Sequence, residues 1–593
     1  MSINNKKEIG RYKRIIFEWI TRPVLYEYPF FLIIAVMLWQ NTLFALSEWT
    51  FYGVTQYTFL AFFYSSILTV FVHLISSKSL KVFFYILCFI ICIVNVYLRF
   101  CFSSNISPNI FQLIMETNYQ ETKEFLMNYV WILSMLGLFL LLIAFIIVIF
   151  VVEKKKYGPI RFVHWLWNII PLSLLTGGFV SFCLFINIFK CKNAIEVDNW
   201  IESHDAKVMD NFSNIIYCVF DLYLCNIEID EAVASTRQVM MKDATCNARD
   251  SLNVVLVIGE SYIKWHAGVY GYVNNTTPHL QEELEKGNLF LFNDVVSPYN
   301  FTSKTLRNVF STNSISSKES WSDYPFFPTI FRKAGYVVTF WDNQYSPVSR
   351  EAFDFTLNSY LHNSTISSIT YSATNNHNYE LDGELLDDFM ADDVSSKGRL
   401  RFSIFHLMGQ HVAYYSRFPH GGEFDHFNAD SIQRNDSFLN RDKRQLIADY
   451  DNATRYNDDV IGSIVDFYRD KNAVLIYFSD HGEEVYDYQD SFGRNWKEPL
   501  SNETLRYQFE VPFMVWCSNS YVDNNPIIVE QIKHAVHRPF MLDNVSHLLL
   551  HLGCISSCYY HSERDVLSED YVCPPRVVND KYLVEDVRET CRQ

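Results

Sequence analysis

Five long apolar stretches in the first third constrain this 593-residue chain more than any other feature. They cover residues 29–46, 57–75, 82–98, 131–152 and 166–189. Each approaches the roughly 17–25 residues a helix needs to cross a bilayer. Phe, Leu and Ile surround these segments on all sides instead of forming one stripe, which favours lipid over a soluble core. Basic residues fall in alternate loops: Lys6, Lys7, Arg11, Lys13 and Arg14 before the first stretch, Lys78 and Lys81 after the second, and Lys154, Lys155, Lys156 and Arg161 after the fourth. The positive-inside rule makes those loops cytoplasmic. The loop 102–130 and everything after residue 190 then lie outside. The N-terminus lacks a cleavable signal's short apolar core and small-residue cleavage site, so the first span is expected to be retained. The expected organisation is a five-span membrane domain (1–190), a connector (191–250) and a large outer domain (251–593).

The formal net charge of −17 argues against nucleic acid, which wants a basic face. Within the connector, Phe212, Ile215, Ile216, Val219, Phe220 and Tyr223 recur near helical spacing. That pattern fits an amphipathic helix lying along the membrane, or one packed on the outer domain. Of the 13 cysteines, Cys554, Cys558, Cys573 and Cys591 cluster near the C-terminus, where an oxidising compartment favours disulfides. Zinc at Cys554 and Cys558 is the alternative use.

From residue 252 onward, short apolar runs at 253–258, 289–293, 336–341, 401–406, 473–478 and 511–516 alternate with helix-like segments. Such alternation predicts an α/β domain, a mainly parallel central sheet covered by helices. Insertions around 364–378 and 420–442 read as long loops. Two of the runs end in chemistry: Glu260 follows Val254-Val255-Leu256-Val257-Ile258-Gly259, and Asp480-His481 follows the run 473–478 and Ser479. The carboxyl ends of strands are where open α/β sheets collect ligands. Two carboxylates and an imidazole suit zinc, with manganese as an alternative. These residues point to a metal-dependent enzyme.

The ordered motifs go further. Gly259-Glu260-Ser261 continues into Tyr270-Gly271-Tyr272 and Thr276-Thr277-Pro278. Ser297-Pro298-Tyr299-Asn300-Phe301-Thr302, Trp341-Asp342-Asn343 and Ser479-Asp480-His481-Gly482-Glu483 follow. Together with the five spans, this series resembles the phosphoethanolamine transferases of Gram-negative inner membranes, members of the alkaline phosphatase (sulfatase-type) superfamily, across almost the whole chain. The resemblance implies an alkaline-phosphatase-like domain in the periplasm with Glu260, Asp480, His481 and Thr302 as zinc ligands. Thr302 is the implied nucleophile, with Ser261, Ser303 and Thr305 as rivals. A metal lowers the pKa of an otherwise poor hydroxyl nucleophile. His411 matches a histidine near the transferred phosphate. Thr117 and Glu121 match a membrane-side substrate segment, and Asn343 is a candidate head-group contact.

The resemblance implies phosphatidylethanolamine as donor and lipopolysaccharide as acceptor, at lipid A or an inner-core sugar, through a phosphoethanolamine-threonine intermediate. Reduced binding of cationic antimicrobial peptides is the expected consequence. Three departures stand out. A second family histidine has no counterpart after the Asp-His-Gly-Glu block, where Arg494 offers a phosphate contact instead. Leu113 replaces an asparagine, and no cysteine pair brackets Thr302. Glycerol-phosphate transfer, sulfate-ester hydrolysis and a non-catalytic membrane sensor are the competing readings.

Overall fold

The computed structural model describes residues 23–45, 49–102, 105–116, 132–155, 166–317, 319–344, 356–392, 394, 397–494 and 499–590. The chain divides into two compact units, Met1–Cys225 and Asn226–Gln593.

The first unit is helical, with helices at Tyr28–Phe44, Phe51–Ile75, Lys78–Phe102, Pro108–Glu116, Ile132–Lys154 and Leu166–Phe185. Local chemistry sets their ends. Thr50 caps the second by accepting from the Gly53 N–H, and Ser76 closes it in the left-handed conformation at φ 56°. Apolar faces do most of the packing, but buried amides brace it: Asn95 donates to Asn211 at 2.7 Å and Asn41 to the Met209 carbonyl at 2.9 Å. Lys81 pairs with both Glu27 (2.9 Å) and Glu153 (2.7 Å). That joins the start of the first helix, the start of Lys78–Phe102 and the end of Ile132–Lys154.

Among the described residues, four helices are long and apolar enough to cross a membrane: Phe51–Ile75, Lys78–Arg99, Ser173–Lys190 and Asn211–Val239, while Tyr28–Phe44 is shorter. Three of these overlap the expected spans 57–75, 82–98 and 166–189, and the fourth, Asn211–Val239, lies in the expected connector. The connector helix is longer than its apolar pattern suggested, 29 residues over Asn211–Val239.

The second unit is built on a seven-stranded sheet. In chain order its strands are β1 (Leu252–Gly259), β2 (Leu289–Phe292), β3 (Val337–Asp342), β4 (Ala373–Thr374), β5 (Leu400–His406), β6 (Ala473–Ser479) and β7 (Phe513–Cys517). The spatial order is β2-β7-β6-β1-β5-β3-β4. The expected mainly parallel sheet is a mixed one. β1 runs parallel to β5 and β6, and β3 parallel to β4 and β5, but β7 is antiparallel to both neighbours, β6 and β2. An apolar run has no polarity written in it, so strand direction was not legible. The expected loop 364–378 also contains a helix, Ser364–Thr370, and the edge strand β4.

β1 lies at the centre and is buried along its whole length. Its alternate side chains enter two cores. Val254, Leu256 and Ile258 pack with Phe402, Ile404, Ile476 and Phe478 on one face. Val255 and Val257 pack with Phe405, Leu475, Tyr477 and the helix Arg441–Tyr468 on the other. Burial on both faces is what turns a central strand into a continuous Val/Ile/Leu run. Among the described residues Cys554, Cys558 and Cys573 are free thiols, and Cys591 lies outside the described residues.

Candidate active site

Parallel pairing puts the ends of β1 and β6 side by side, with Gly259 opposite Ser479. Glu260 and Asp480-His481 therefore emerge from one sheet edge although 220 residues of sequence position separate Glu260 from Asp480. The backbone locks them there. The Asp480 N–H donates to the Gly259 carbonyl at 3.1 Å. Asp480 Oδ1 accepts from the Ser261 and His481 N–H groups at 3.2 and 2.8 Å. A turn at Gly409, φ 49°, crosses over Glu260 closely enough that a Cβ there would sit 2.9 Å from the Glu260 nitrogen.

Four polar atoms converge. Glu260 Oε1 and Asp480 Oδ2 each lie 3.2 Å from His481 Nε2. Thr302 Oγ1 lies 3.3 Å from that nitrogen and donates to Glu260 Oε2 at 2.8 Å. Glu260, Asp480 and His481 are fully buried, and their ligand atoms fall within 4.8 Å of one another. His481 Nδ1 is 2.7 Å from the Gly482 carbonyl, so Nδ1 carries a hydrogen and Nε2 faces the cluster, where its deprotonation would free a lone pair for a metal ion. Asp480 Oδ2 is buried with no hydrogen-bond partner. Two carboxylates, one imidazole lone pair and one hydroxyl, with a carboxylate oxygen left unpartnered, fit a divalent zinc- or manganese-like ion.

The electrostatics agree. Burial pushes the Glu260 carboxyl up, but the His481 charge and hydrogen bond outweigh it and hold the group below the ordinary carboxylate range. Burial, and then the Glu260 charge, push Asp480 up to about 7. Two buried carboxylates this close resist ionising together unless a cation joins them.

Thr302 opens the helix Thr302–Phe310 and remains half-exposed. Its rivals are placed differently. Ser261 is fully buried and donates to Glu260 Oε1 at 2.9 Å, and Thr305 is committed to the Tyr299 carbonyl at 2.9 Å. Ser303 is buried on the same helix. His411 follows the Gly409 turn. Burial pushes it down to about 3 despite the nearby Glu260 charge, and its buried Nδ1 has no partner.

Asn343 is fully buried with both ends of its amide engaged. It donates to Asp382 Oδ1 at 2.8 Å and accepts from the Tyr379 N–H at 2.7 Å. Its neighbour Gln344 reaches the cluster instead, donating to Glu260 Oε2 at 3.3 Å and to the Leu407 carbonyl at 2.9 Å. Sequence reading missed Gln344, and its only signal was a place two residues beyond a strand end. It also missed Asp382, which accepts from the Met408 and Gly409 N–H groups at 2.8 and 2.9 Å and so holds the turn over Glu260. Thr117 and Glu121 lie outside the described residues.

Comparison with known proteins gives a family and relatives. The Sulfatase family model matches residues 252–553. Phosphoethanolamine transferase EptC of Escherichia coli (strain K12) is 26% identical over 503 residues, 81% of each chain. The crystal structure of the C-terminal periplasmic domain of EptC from Escherichia coli is 27% identical with a TM-score of 0.50, over 57% of this chain and 93% of that one. The integral membrane protein lipooligosaccharide phosphoethanolamine transferase A from Neisseria meningitidis is 17% identical with a TM-score of 0.60, covering 93% of this chain and 97% of that one, a likeness of fold.

Proposed function

The chain belongs to the sulfatase family, and from that premise we propose that it is a metal-dependent phosphoethanolamine transferase of the inner membrane. Its catalytic unit would face the periplasm and its five expected apolar segments would anchor it. The relatives' names support the transferred group. The observation that carries the chemistry is the contact of Thr302 Oγ1 with Glu260 Oε2, 2.8 Å, beside the buried Asp480 and His481.

In this reading Glu260, Asp480, His481 and Thr302 hold a zinc or manganese ion. Such an ion would supply Lewis-acid charge, which would lower the threonine pKa and offset charge on the phosphoryl oxygens. Thr302 Oγ1 gives up its proton and attacks the phosphorus of phosphatidylethanolamine. The phosphorus–oxygen bond to diacylglycerol breaks, and the departing oxygen takes up a proton. A hydroxyl or phosphate oxygen of lipopolysaccharide then attacks the phosphoethanolamine-threonine and restores the free hydroxyl. The positive end of the helix Thr302–Phe310 favours negative charge at its first residue. His411 enters as neutral imidazole and acts by hydrogen bonding near the transferred group. Gln344 fixes Glu260, and Asn343 acts on the site through Asp382 and the Gly409 turn. Thr117 and Glu121 serve the membrane-side entrance.

Incubation with phosphatidylethanolamine followed by peptide mass spectrometry tests the reading. A phosphoethanolamine adduct on Thr302, with turnover abolished in Thr302→Ala, supports it. A glycerol phosphate adduct, sulfate-ester hydrolysis without an adduct, or full turnover by the alanine variant refutes it.

A further inference from the structure

Thr302 opens its helix without a local anchor. Phe301, the residue before it, makes no side-chain cap to the first turn. Residues 297–301 form neither helix nor strand. Where the Thr302 hydroxyl sits therefore depends on what grips this run from elsewhere in the chain.

Two sets of hydrogen bonds do so. One comes from around the metal-ligand cluster: Ser297 Oγ lies 2.5 Å from the Asp480 carbonyl, Asn300 Nδ2 donates to Gln508 Oε1 at 3.0 Å, and Arg494 reaches the Asn300 carbonyl at 3.4 Å. The other comes from near the C-terminus. The Asn579 N–H donates to the Pro298 carbonyl at 2.9 Å. The Tyr299 hydroxyl donates to Asp580 Oδ1 at 2.6 Å, a partner 281 positions further along.

This second grip is built to be stiff. Asn579 and Asp580 are successive left-handed residues, at φ 49° and 57°. They form the tip of a hairpin whose strands are Val577–Val578 and Tyr582–Leu583. The Lys581 N–H closes the turn on the Val578 carbonyl at 3.2 Å. Asn and Asp tolerate this conformation better than other side-chain-bearing residues, but it persists only where the surroundings hold it. Those surroundings are a buried cluster in which Val578 and Val584 pack with Val296, the residue that leads into the run, and Phe509. Tyr299 is buried, so water does not compete for its bond to Asp580.

We propose that Tyr299 and Asp580 are positioning residues: the C-terminal turn holds residues 298–301 on the path that brings Thr302 Oγ1 to Glu260 and His481. That Thr302 is the attacking group rests on the transferase reading, whereas the hold of the turn on the segment does not. Loss of the hold is expected to show in rate, since a misplacement of about 1 Å costs on the order of 100-fold.

The full chain in detergent is compared as parent, Asp580→Ala, Asp580→Asn, Tyr299→Phe, and Tyr299→Phe combined with Asp580→Ala. Hydrogen exchange of the peptide covering 297–305, kcat and KM for phosphatidylethanolamine, zinc content and the unfolding midpoint are read on each. Asp580→Ala and Tyr299→Phe should each speed exchange over 299–303 about 10-fold. Each should lower kcat about 10- to 100-fold, with KM, zinc content and midpoint like the parent's. The combined variant should be no slower than either single one, because both cut the same bond. Asp580→Asn keeps an acceptor oxygen in place and should restore most of the rate. Lys581→Ala, one position on and exposed, should match the parent. Unchanged exchange in both single variants overturns the proposal, and so does faster exchange with kcat unchanged. A fall in zinc or midpoint that matches the fall in rate also overturns it, making the turn a general support of the fold. If the parent turns over no phosphatidylethanolamine while the variants still exchange faster, the transferase reading falls and the hold of the turn stands. If the parent turns over lipid and neither exchange nor kcat responds to the variants, the reverse holds.

Discussion

Replacing Gly482 with alanine tests whether the backbone behind His481 is as crowded as the site requires. A Cβ at residue 482 would lie 2.0 Å from the Tyr507 carbonyl oxygen, 3.0 Å from its carbon and 3.3 Å from Gln508 Cα. All three are backbone atoms in a buried stretch, so no rotamer relieves the clash, and one strand of chain must move by about 1 Å. Overpacking of this kind costs roughly 1–3 kcal/mol. The same shift breaks the Gly482 N–H bond to the Gln508 carbonyl, 3.0 Å, adding about 1–3 kcal/mol for a buried donor left unmet. The expected loss is about 2–6 kcal/mol, a large share of a domain's total of roughly 5–15. The Gly482 carbonyl also fixes the His481 tautomer through the 2.7 Å contact to Nδ1. Metal affinity should fall by about 10- to 100-fold, as it does when a ligand's outer hydrogen bond is lost. Denaturant unfolding and metal titration of Gly482→Ala measure both effects. Gly422→Ala, with nothing within 4 Å of its Cβ, should stay within about 0.5 kcal/mol of the parent. A Gly482→Ala chain that unfolds and loads metal like the parent would refute the crowding argument.

Three further outcomes follow from buried charge. His266 is fully enclosed between Asp451 (2.7 Å) and Asp487 (3.0 Å). Burial pulls its pKa down, but the two carboxylates outweigh it and raise it to about 10. A raised folded-state pKa stabilises fully below the unfolded value of about 6.5, and the contribution is lost as pH rises from there through about 10. Between pH 6.5 and 9 the parent should lose on the order of 3 kcal/mol relative to His266→Asn, and parallel stability curves would contradict it. Arg576 is buried against Asp294 and Glu585, each at 2.7 Å. Arg576→Met should cost about 2–3 kcal/mol, less than a wholly unpaired buried charge because Asp294 keeps Arg588 at 3.0 Å, and should expose the C-terminal segment to proteolysis. Chelation should lower the unfolding midpoint, since an ion at 100 times its Kd contributes about 2.7 kcal/mol. Added zinc or manganese should restore it, and an unchanged midpoint argues against bound metal.

The chain's alphabet alone carried several of these results. All six apolar runs became strands of the central sheet, because strands buried on both faces must be apolar throughout. Glu260, Asp480 and His481 were legible because polar groups at strand ends have no packing reason to be there, whereas Thr302, which opens a helix, came from the likeness alone. The likeness to known transferases put them in one site before any geometry did. Strand direction, the pairing of β7 and the contacts of Gln344, Asp382 and Arg494 were not legible. Direction depends on where each connection re-enters the sheet, which an apolar run does not encode. A side chain's partners depend on which distant backbone lies opposite: Asn343 faces Asp382 and Tyr379 while Gln344, one position on, faces Glu260. Residue type along the chain determined what chemistry was on offer. Only the packed sheet edge decided which atoms share one buried volume, where a lone pair, a carboxylate and a hydroxyl must compete for the same positive charge.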